Sequence, residues 1–220
     1  IHYICIMKDI VIKGAGGMGK EVAWLIEYIN SVRPEWNLLG FLVDEQYKDN
    51  WGKVVNGYPV LGGNAWLEKY PTEIYVTCGI GKGSVRKSFY DCVSNYPHVK
   101  LATLIDPTVR IDKTVCIGEG SIICRNCTLT VNTHIGMGVL MNTGASVGHD
   151  SNVGACCTFF TNSIAAGHTS FGECCSIGSG AFILEGKTIA ANTTIAPLTS
   201  VLRDITESGT YSGNPARRMI

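Results

Sequence analysis

A strict six-residue period of hydrophobic positions runs through the second half of the chain, from Ile105 to Val201. All seventeen residues in this frame are apolar, and the frame never slips. A second column, four residues further on, holds small or β-branched residues except at Lys187. A third column directly follows the large apolar residue and is rich in glycine: Gly118, Gly136, Gly148, Gly154, Gly172 and Gly178.

A period of six fits neither the 3.6 residues of a helical turn nor the alternation of a flat strand. It is typical of a chain that makes a short strand, turns and repeats, so that three sides close one coil of a parallel β-helix. Residues 104–204 would make roughly five to six such coils. We expect the large residues to point inward, the small ones to fill the corners, and the third column to adopt the unusual backbone angles of the turns.

The first hundred residues follow a different pattern, with three or four predicted parallel strands and helices between them. The strand-like run at 9–13 precedes the glycine loop Gly14–Gly19 and an amphipathic stretch at 20–30. Further strands are predicted at 38–43, 73–78 and 99–105, short helices at 65–70 and 84–94, and a loop at 57–63. The pattern indicates a small Rossmann-like α/β domain over residues 7–103, followed by an all-β parallel β-helix over 104–220.

The glycine loop has the spacing G-x-G-x-x-G, with Gly14, Gly16 and Gly19 in the glycine positions. Helix N-termini present free N–H groups to anions, so this loop is a candidate phosphate site. Asp44 and Gly81 follow later strands, and the carboxyl ends of parallel strands converge on one crevice. We therefore predict that this domain binds a nucleotide, with room for a mononucleotide and no residues for hydride chemistry.

Composition excludes several classes of function. The formal net charge is zero and the pI is near 7.1, which gives no indication of a nucleic-acid or membrane partner. No apolar run reaches the length of a membrane span. We expect Met7 to be the initiator methionine, with residues 1–6 left from upstream sequence. The ten cysteines are interpreted as reduced thiols of a cytoplasmic protein. Cys124 and Cys127 resemble half a zinc site without a second pair, so no metal is expected.

Ionisable residues are scarce on the predicted coils, which makes the three histidines there stand out: His134, His149 and His168. A surface histidine is usually only solvated. His149, however, is followed directly by Asp150, which could orient its ring. Gly167 lies eighteen residues on, one coil further, where an uncovered backbone N–H could meet a developing oxyanion.

These features together resemble a known family. The repeat, the Gly-His-Asp sequence at 148–150, the Ala-Gly-His sequence at 166–168 and the C-terminal SGNPARR are similar to the left-handed β-helix acyltransferases. With the glycine loop and the FLVDE sequence at 41–45, the chain resembles the bacterial sialic-acid O-acetyltransferase and nucleotide-4-amino-sugar N-acetyltransferase group. This resemblance implies that the parallel β-helix over residues 104–220 is left-handed.

The resemblance implies a role for each matching residue. His149 matches the general base and Asp150 the acidic residue that orients it. Residues that match acetyl-CoA contacts are Ala166, Gly167, Ser179, Pro215, Arg217 and Arg218. Residues that match substrate contacts are Gly14, Gly16, Gly17, Asp44, Gly81, Asn142 and Thr143. The chain departs from the family at Met18, where members often have histidine, and at Thr158, where some members have a second histidine.

The implied activity is transfer of acetyl from acetyl-CoA to a nucleotide-linked amino sugar of the UDP- or dTDP-4-amino-dideoxy type, in bacterial glycan biosynthesis. The resemblance also implies a homotrimer with active sites between subunits. O-acetylation of a sialic-acid-type sugar stays open as an alternative. More distant alternatives are a γ-carbonic-anhydrase-like enzyme, which needs three histidines at one metal, and a non-catalytic nucleotide-binding scaffold.

Overall fold

The computed structural model describes residues 7–219, so the expectation about residues 1–6 lies outside the described part of the chain. Internal contacts divide the chain into two compact units. Unit 1 runs to Gly81 and resumes over Ser88–Leu104, and unit 2 holds Lys82–Lys87 and everything from Ile105 onward. We predicted a domain boundary between residues 103 and 104. The assignment of residues 82–87 to unit 2 was not predicted from the sequence.

Helices and strands alternate in the first part of the chain. They are β1 (Lys8–Lys13), α1 (Gly17–Val32), β2 (Trp36–Leu42), a 3-10 helix (Glu45–Asn50), β3 (Val54–Val55), β4 (Tyr58–Gly62), α2 (Ala65–Glu68), β5 (Ile74–Cys78), α3 (Gly83–Val93) and β6 (Val99–Leu101). None of the helices within residues 7–219 has the length and apolarity needed to cross a membrane.

The strands of unit 1 form one sheet in the order β3-β4-β2-β1-β5-β6. All neighbouring pairs are parallel except β3 with β4, so five strands are parallel, one or two more than the sequence predicted. The additional strand is β4, in a stretch that we predicted as loop. Its Pro59 and two flanking glycines hide the strand pattern, but Val60 is buried and pairs with Phe41 of β2.

The repeat strands are two residues long and recur every six residues, apart from a gap where Ile111 lies. They are β7 (Leu104–Ile105), β8 (Cys116–Ile117), β9 (Ile122–Ile123), β10 (Thr128–Leu129), β11 (His134–Ile135), β12 (Leu140–Met141), β13 (Ser146–Val147), β14 (Asn152–Val153), β15 (Thr158–Phe159), β16 (Ile164–Ala165), β17 (Ser170–Phe171), β18 (Ser176–Ile177), β19 (Phe182–Ile183), β20 (Thr188–Ile189), β21 (Thr194–Ile195) and β22 (Ser200–Val201).

Three parallel sheets form the sides of a prism, because each strand pairs with the strand eighteen residues further on. Face 1 is β10-β13-β16-β19-β22, face 2 is β8-β11-β14-β17-β20, and face 3 is β7-β9-β12-β15-β18-β21. Face 3 continues into the C-terminal hairpin of β23 (Thr210–Ser212) and β24 (Arg217–Arg218). The predicted left-handed parallel β-helix is confirmed.

The predicted inward column forms the core of this prism. Its members from Ile123 to Val201 are all buried, and Ile105 and Ile117 pack against them half-buried. The prediction is wrong for Ile111, which is 38% exposed and belongs to no strand. It precedes β10, the first strand of face 1, so no earlier coil of the repeat lies beneath it.

The left-handed backbone angles occur in a different column from the one we predicted. From 120 to 198, every sixth residue has a φ between 55° and 73°, three positions after the inward residue. Most are Gly or Asn, but the column also includes Asp150, Cys156, His168, Cys174 and Leu198. The glycines of the third column serve close approach instead. A Cβ at Gly148, for example, would lie 2.5 Å from the backbone nitrogen of Gly167 on the next coil.

Arg86, within residues 82–87, is fully buried in unit 2. Its guanidinium donates hydrogen bonds to the carbonyl oxygens of Gly138, Cys156 and Cys157, at 2.9–3.0 Å. It also donates to Oγ1 of Thr158 at 2.9 Å. Thr158, at which the sequence departs from the pattern of the resembling family, is therefore a buried threonine that binds an arginine.

Candidate active site

His149 lies in the turn between β13 on face 1 and β14 on face 2. We call this edge of the prism the histidine corner; it comprises residues 148–151 and their equivalents 130–133, 166–169 and 184–187. The His149 side chain is 48% exposed, and its Nδ1 lies 2.8 Å from Oδ2 of Asp150. An ionised carboxylate only accepts hydrogen bonds, so Nδ1 carries the hydrogen and Nε2 keeps its lone pair. A neutral imidazole in this tautomer can accept a proton at Nε2.

Asp150 is held as a carboxylate by its neighbours. Asn132, one coil earlier, donates from Nδ2 to Oδ1 of Asp150 at 2.9 Å. The hydrogen bond from Asn132, followed by that from His149, lowers the pKa of Asp150 below its usual value. The carboxylate therefore stays charged at neutral pH, where it fixes the His149 ring and would stabilise an imidazolium.

His168 joins this pair from the next coil, although the sequence analysis assigned it no role. Its ring stands edge-on to that of His149, with centroids 5.0 Å apart, and its Nε2 lies 3.8 Å from Oδ2 of Asp150. Asn132, Asp150 and His168 are spaced by eighteen residues and share the left-handed backbone angle. That spacing was the available signal, because one coil contains eighteen residues. The donor atoms of His149, Asp150 and His168 all lie within 4.8 Å of one another, close enough for a metal ion.

Gly167 and Ala166 lie beside these residues at the same corner. A Cβ on Gly167 would lie 2.6 Å from both Cε1 and Nε2 of His149, so only glycine lets the imidazole rest against the backbone there. This requirement is additional to the oxyanion role proposed from the sequence, which stays a prediction.

Asn142, Thr143 and Ser179 lie elsewhere on the same prism. They belong to the turns between face 3 and face 1, which we call the asparagine corner; it comprises residues 142–145, 160–163 and 178–181. Oδ1 of Asn142 is buried and has no hydrogen-bond partner within residues 7–219. Face 1 separates this corner from the histidine corner, so one chain does not bring the two groups of predicted residues together.

Pro215, Arg217 and Arg218 lie in and after the turn of the C-terminal hairpin, and all three are exposed. Arg218 donates to Oε2 of Glu207 at 2.9 Å and to the carbonyl oxygen of Ser208 at 3.1 Å. Arg217 donates to the carbonyl oxygen of Ala216 at 3.2 Å. The structure thus gives Arg218 an acidic partner within the tail.

In unit 1 a cleft of about 450 Å³ opens at the carboxyl ends of β1 and β2. Gly14, Gly16 and Asp44 line it, whereas Gly17 begins α1 and Gly81 follows Ile80, another lining residue. A Cβ on Gly16 or Gly17 would meet no atom within 4 Å, while one on Gly19 would lie 2.0 Å from the carbonyl oxygen of Gly14. Gly19 is therefore needed by the fold, whereas Gly16 and Gly17 leave open space in front of the helix.

Lys13 is a residue of this cleft that the sequence analysis missed. Its side chain is only 3% exposed, and its ammonium is paired with the carboxylate of Asp44. It also donates to Oδ1 of Asn64 at 2.8 Å. A lysine at the end of the apolar run of β1 was the signal, because a buried charge requires a partner.

The structure also bears on the two metal hypotheses from the sequence. His134 projects from β11 on face 2 and is not part of the cluster at the histidine corner, so the three-histidine arrangement of a γ-carbonic-anhydrase-like site is not formed there. The nine cysteines within residues 7–219 are free thiols. Cys127, Cys157 and Cys175 are buried in the core, as the small-residue column predicted.

Comparison with known proteins identifies the family. The profile of the PglD N-terminal domain matches residues 9–93. A GDP-perosamine N-acetyltransferase from Escherichia coli O157:H7 is 30% identical over 173 residues, which cover 76% of this chain and 78% of that enzyme. The chain belongs to the hexapeptide-repeat acetyltransferases with a PglD N-terminal domain. The resemblance inferred from the sequence is confirmed.

Solved structures of acetyltransferases extend this similarity over nearly the whole chain. The acetyltransferase domain of PglB from Neisseria gonorrhoeae, in complex with acetyl coenzyme A, is 26% identical with a TM-score of 0.86, over 97% of this chain and 100% of that one. PerB from Caulobacter crescentus, in complex with CoA and GDP-perosamine, is 28% identical with a TM-score of 0.83, over 96% of this chain and 97% of that one. Both units of the present acetyltransferase are therefore shared with these enzymes.

Proposed function

We propose that this acetyltransferase transfers the acetyl group of acetyl-CoA to the amino group of a nucleotide-linked amino sugar in bacterial glycan biosynthesis. One observation supports the proposal above all. In a chain of this acetyltransferase family, the His149 imidazole is oriented by an ionised Asp150 and packs against the backbone of Gly167. The relatives' own ligands, CoA, acetyl coenzyme A and GDP-perosamine, give the class of both substrates.

His149 is the general base of a direct transfer. The acceptor nitrogen attacks the thioester carbonyl carbon and loses a proton to Nε2 of His149. The tetrahedral intermediate places negative charge on the carbonyl oxygen, which the N–H of Gly167 meets. The C–S bond then breaks, and the departing thiolate takes the proton from His149. The transfer requires no acetylated cysteine, since the nearby Cys157 is buried in the core and Cys156 lies in a different corner.

The cleft of unit 1 binds the nucleotide. The open N-terminus of α1 at Gly16 and Gly17 receives the phosphates, since it presents N–H groups and the positive end of the helix dipole. Asp44, held by Lys13, accepts hydrogen bonds from the ribose or base. The family resemblance implies UDP or dTDP as the nucleotide of the substrate. The 30% identical relative from Escherichia coli O157:H7, however, is a GDP-perosamine N-acetyltransferase, so we propose GDP ahead of UDP and dTDP. Acetyl-CoA and nucleotide sugars are cytoplasmic metabolites, and this is the compartment that we propose.

A homotrimer would complete the site. Face 1 and its edges expose apolar side chains, including Ile164, Leu184 and Leu202 at 43%, 38% and 43%. A surface of this kind favours association. If face 1 packs between subunits, the histidine corner of one subunit approaches the asparagine corner of its neighbour. This explains why His149 and Asn142 lie on opposite sides of face 1 in one chain.

A substrate panel tests the activity. Purified protein is supplied with acetyl-CoA and GDP-, UDP- and dTDP-linked 4-amino sugars, alongside free and CMP-linked sialic acids, and products are read by mass spectrometry. We expect a mass increase of one acetyl group on the amine of a nucleotide-linked amino sugar. Acetylation only of sialic-acid hydroxyls would replace the proposal with the O-acetyltransferase alternative, and no acetylation of any acceptor would contradict both.

Mixing of inactive variants tests the site between subunits. His149→Ala and Asn142→Ala are each expected to be inactive alone, because each removes one half of every site. Unfolding and refolding them together would form mixed trimers in which about a quarter of the sites are intact. Recovery of activity near that fraction supports the proposal, and no recovery from properly refolded trimers would contradict it.

A further inference from the structure

We propose that His149, Asp150 and His168 form a binding site for a divalent transition-metal ion, with Zn²⁺ as the best-matched ion, and that metal binding there switches off acetyl transfer. Two imidazoles and one carboxylate are ligands that zinc commonly takes in proteins, with a fourth position left to water. The inhibitory half of the proposal rests on the proposed function, whereas the binding half does not.

The separations of the donor atoms suit a tetrahedral ion. Zinc bonds of about 2.0–2.2 Å in a tetrahedral geometry place neighbouring ligand atoms roughly 3.3–3.6 Å apart. Nδ1 of His149 lies 2.8 Å from Oδ2 of Asp150, and Nε2 of His168 lies 3.8 Å from the same oxygen. One donor atom from each of the three residues lies within 4.8 Å of the other two, so small side-chain rotations bring the ligands to one ion. The side chains are 38–57% exposed, which leaves the remaining coordination position open to solvent.

The fold prepares this arrangement. The N–H of His168 donates to the carbonyl oxygen of His149 at 2.7 Å, so the two ligand-bearing turns are joined by a coil-to-coil hydrogen bond. Asp150 is oriented by the amide of Asn132 at 2.9 Å. Such an outer partner of a ligating carboxylate commonly strengthens metal binding. Of the three ligands, only Asp150 is negatively charged, and it faces both imidazoles.

Metal at this position is incompatible with base catalysis. While Nδ1–H of His149 donates to Asp150, Nε2 has a free lone pair. A metal ion takes the lone pair of Nδ1, so the single proton of the neutral ring must move to Nε2. Nε2–H cannot accept a proton from the acceptor amine. The metal also occupies the carboxylate that would stabilise the imidazolium.

Binding is tested by titrating metal-free protein with Zn²⁺ in a calorimeter and with Co²⁺ in a spectrophotometer. The key variant is His168→Asn, because asparagine tolerates the left-handed backbone angle at this position and removes only the imidazole. The matched control is His134→Asn, which removes an exposed histidine of face 2. We expect one site per chain, weakened at least about tenfold in His168→Asn and unchanged in the control. The Co²⁺ spectrum should show ligand-field bands without thiolate charge transfer.

Equal affinity in all three proteins, or a thiolate signature from the cysteines, would overturn the site. Asn132→Gly is a further variant that keeps the backbone angle and should weaken binding by about 10-fold or more.

Inhibition is tested by following loss of the thioester absorbance, since thiol dyes would compete for zinc. Each protein is compared with its own metal-free rate. Zinc should abolish the wild-type rate at the concentration that fills the site and should require at least about tenfold more in His168→Asn. A filled site with an undiminished rate would overturn the switch. If the proposed function itself fails, no acceptor is acetylated with or without metal, and the binding experiments still decide whether the site exists.

Discussion

Different kinds of contact stabilise the β-helical unit and the α/β unit of this acetyltransferase, each within itself. In the β-helix each inward residue pairs with residues eighteen positions away, so one environment recurs from coil to coil. In the α/β unit a partly buried contact such as that of Lys13 with Asp44 and Asn64 joins residues 31 and 51 positions apart and occurs once. A recurring environment can be predicted from a short stretch of sequence, whereas a unique contact cannot.

The largest effect is expected from a charge placed inside the repeat. Ile135 is 4% exposed and belongs to the prism core, so Ile135→Asp buries a carboxylate without a partner and should cost several kcal/mol. Val131, four residues earlier, is 47% exposed, and Val131→Asp should leave stability almost unchanged. Chemical denaturation of both variants measures the contrast. Equal stability of the two would mean that the six-residue period does not define the core.

The next largest effect is expected on the catalytic rate at Gly167, the residue of the β-helix that contacts the His149 ring. In Gly167→Ala the new methyl group overlaps the His149 ring, which must move, and a displacement near 1 Å costs about 10²-fold in rate. Gly186→Asn, one coil further, is the control, because asparagine suits its left-handed angle and a Cβ there meets no atom within 4 Å. Steady-state kinetics on folded protein decide. An unchanged kcat in Gly167→Ala would show that the ring position is not important.

In the α/β unit, two glycines of the same loop are expected to have different roles, Gly17 in substrate binding and Gly19 in stability. Gly17→Val should fold normally, since open space surrounds that position, but should raise the KM of the nucleotide sugar about tenfold and leave that of acetyl-CoA unchanged. Gly19→Ala should instead destabilise the fold, because its methyl group meets the carbonyl oxygen of Gly14. If Gly17→Val weakened both substrates equally, the loop would not be the nucleotide site.

The smallest effect is expected at alkaline pH. Burial raises the pKa of the Cys127 thiol from 9.0 to about 12. The unfolded thiol loses its proton near its ordinary pKa of 9.0, whereas the folded thiol keeps its proton at that pH. The contribution of Cys127 to stability is therefore complete below pH 9.0 and is lost as pH rises toward about 12. Denaturation midpoints over this window should fall less steeply in Cys127→Ala than in the wild type. Identical slopes would show that the thiol is accessible when folded.

The sequence predicted most of the repeat because each position there is repeated about sixteen times. The inward column and the small-residue column both follow from this repetition, whereas the pairing of His149 with Asp150 follows from their adjacency in the sequence. The prediction from the sequence misplaced the left-handed backbone angles. Glycine occurs in two columns of the repeat, in one because the turn needs a positive φ and in the other because the next coil approaches closely. The sequence alone does not distinguish these two roles. His168 was missed although its distance from Asp150 is one coil.

The α/β unit was predicted less completely. The glycine loop has a local signature and was recognised, but β4 was not, since its burial depends on Phe41 of β2 rather than on its own pattern. Lys13 was not recognised because its partners are distant in sequence. In the candidate site, residues of the histidine corner came together, while Asn142, Thr143 and Ser179 did not, because they lie in the turns on the other side of face 1.

The most direct test of the account is the rate of acetyl transfer by His149→Ala, measured beside His134→Ala as the matched exposed histidine of the same prism. Removal of a general base typically costs about 10²–10⁴-fold, so kcat of His149→Ala should fall by that factor with the KM of acetyl-CoA nearly unchanged, while His134→Ala stays active. Retention of more than about a tenth of the wild-type kcat by His149→Ala, or an acetylated cysteine trapped during turnover, would contradict the account.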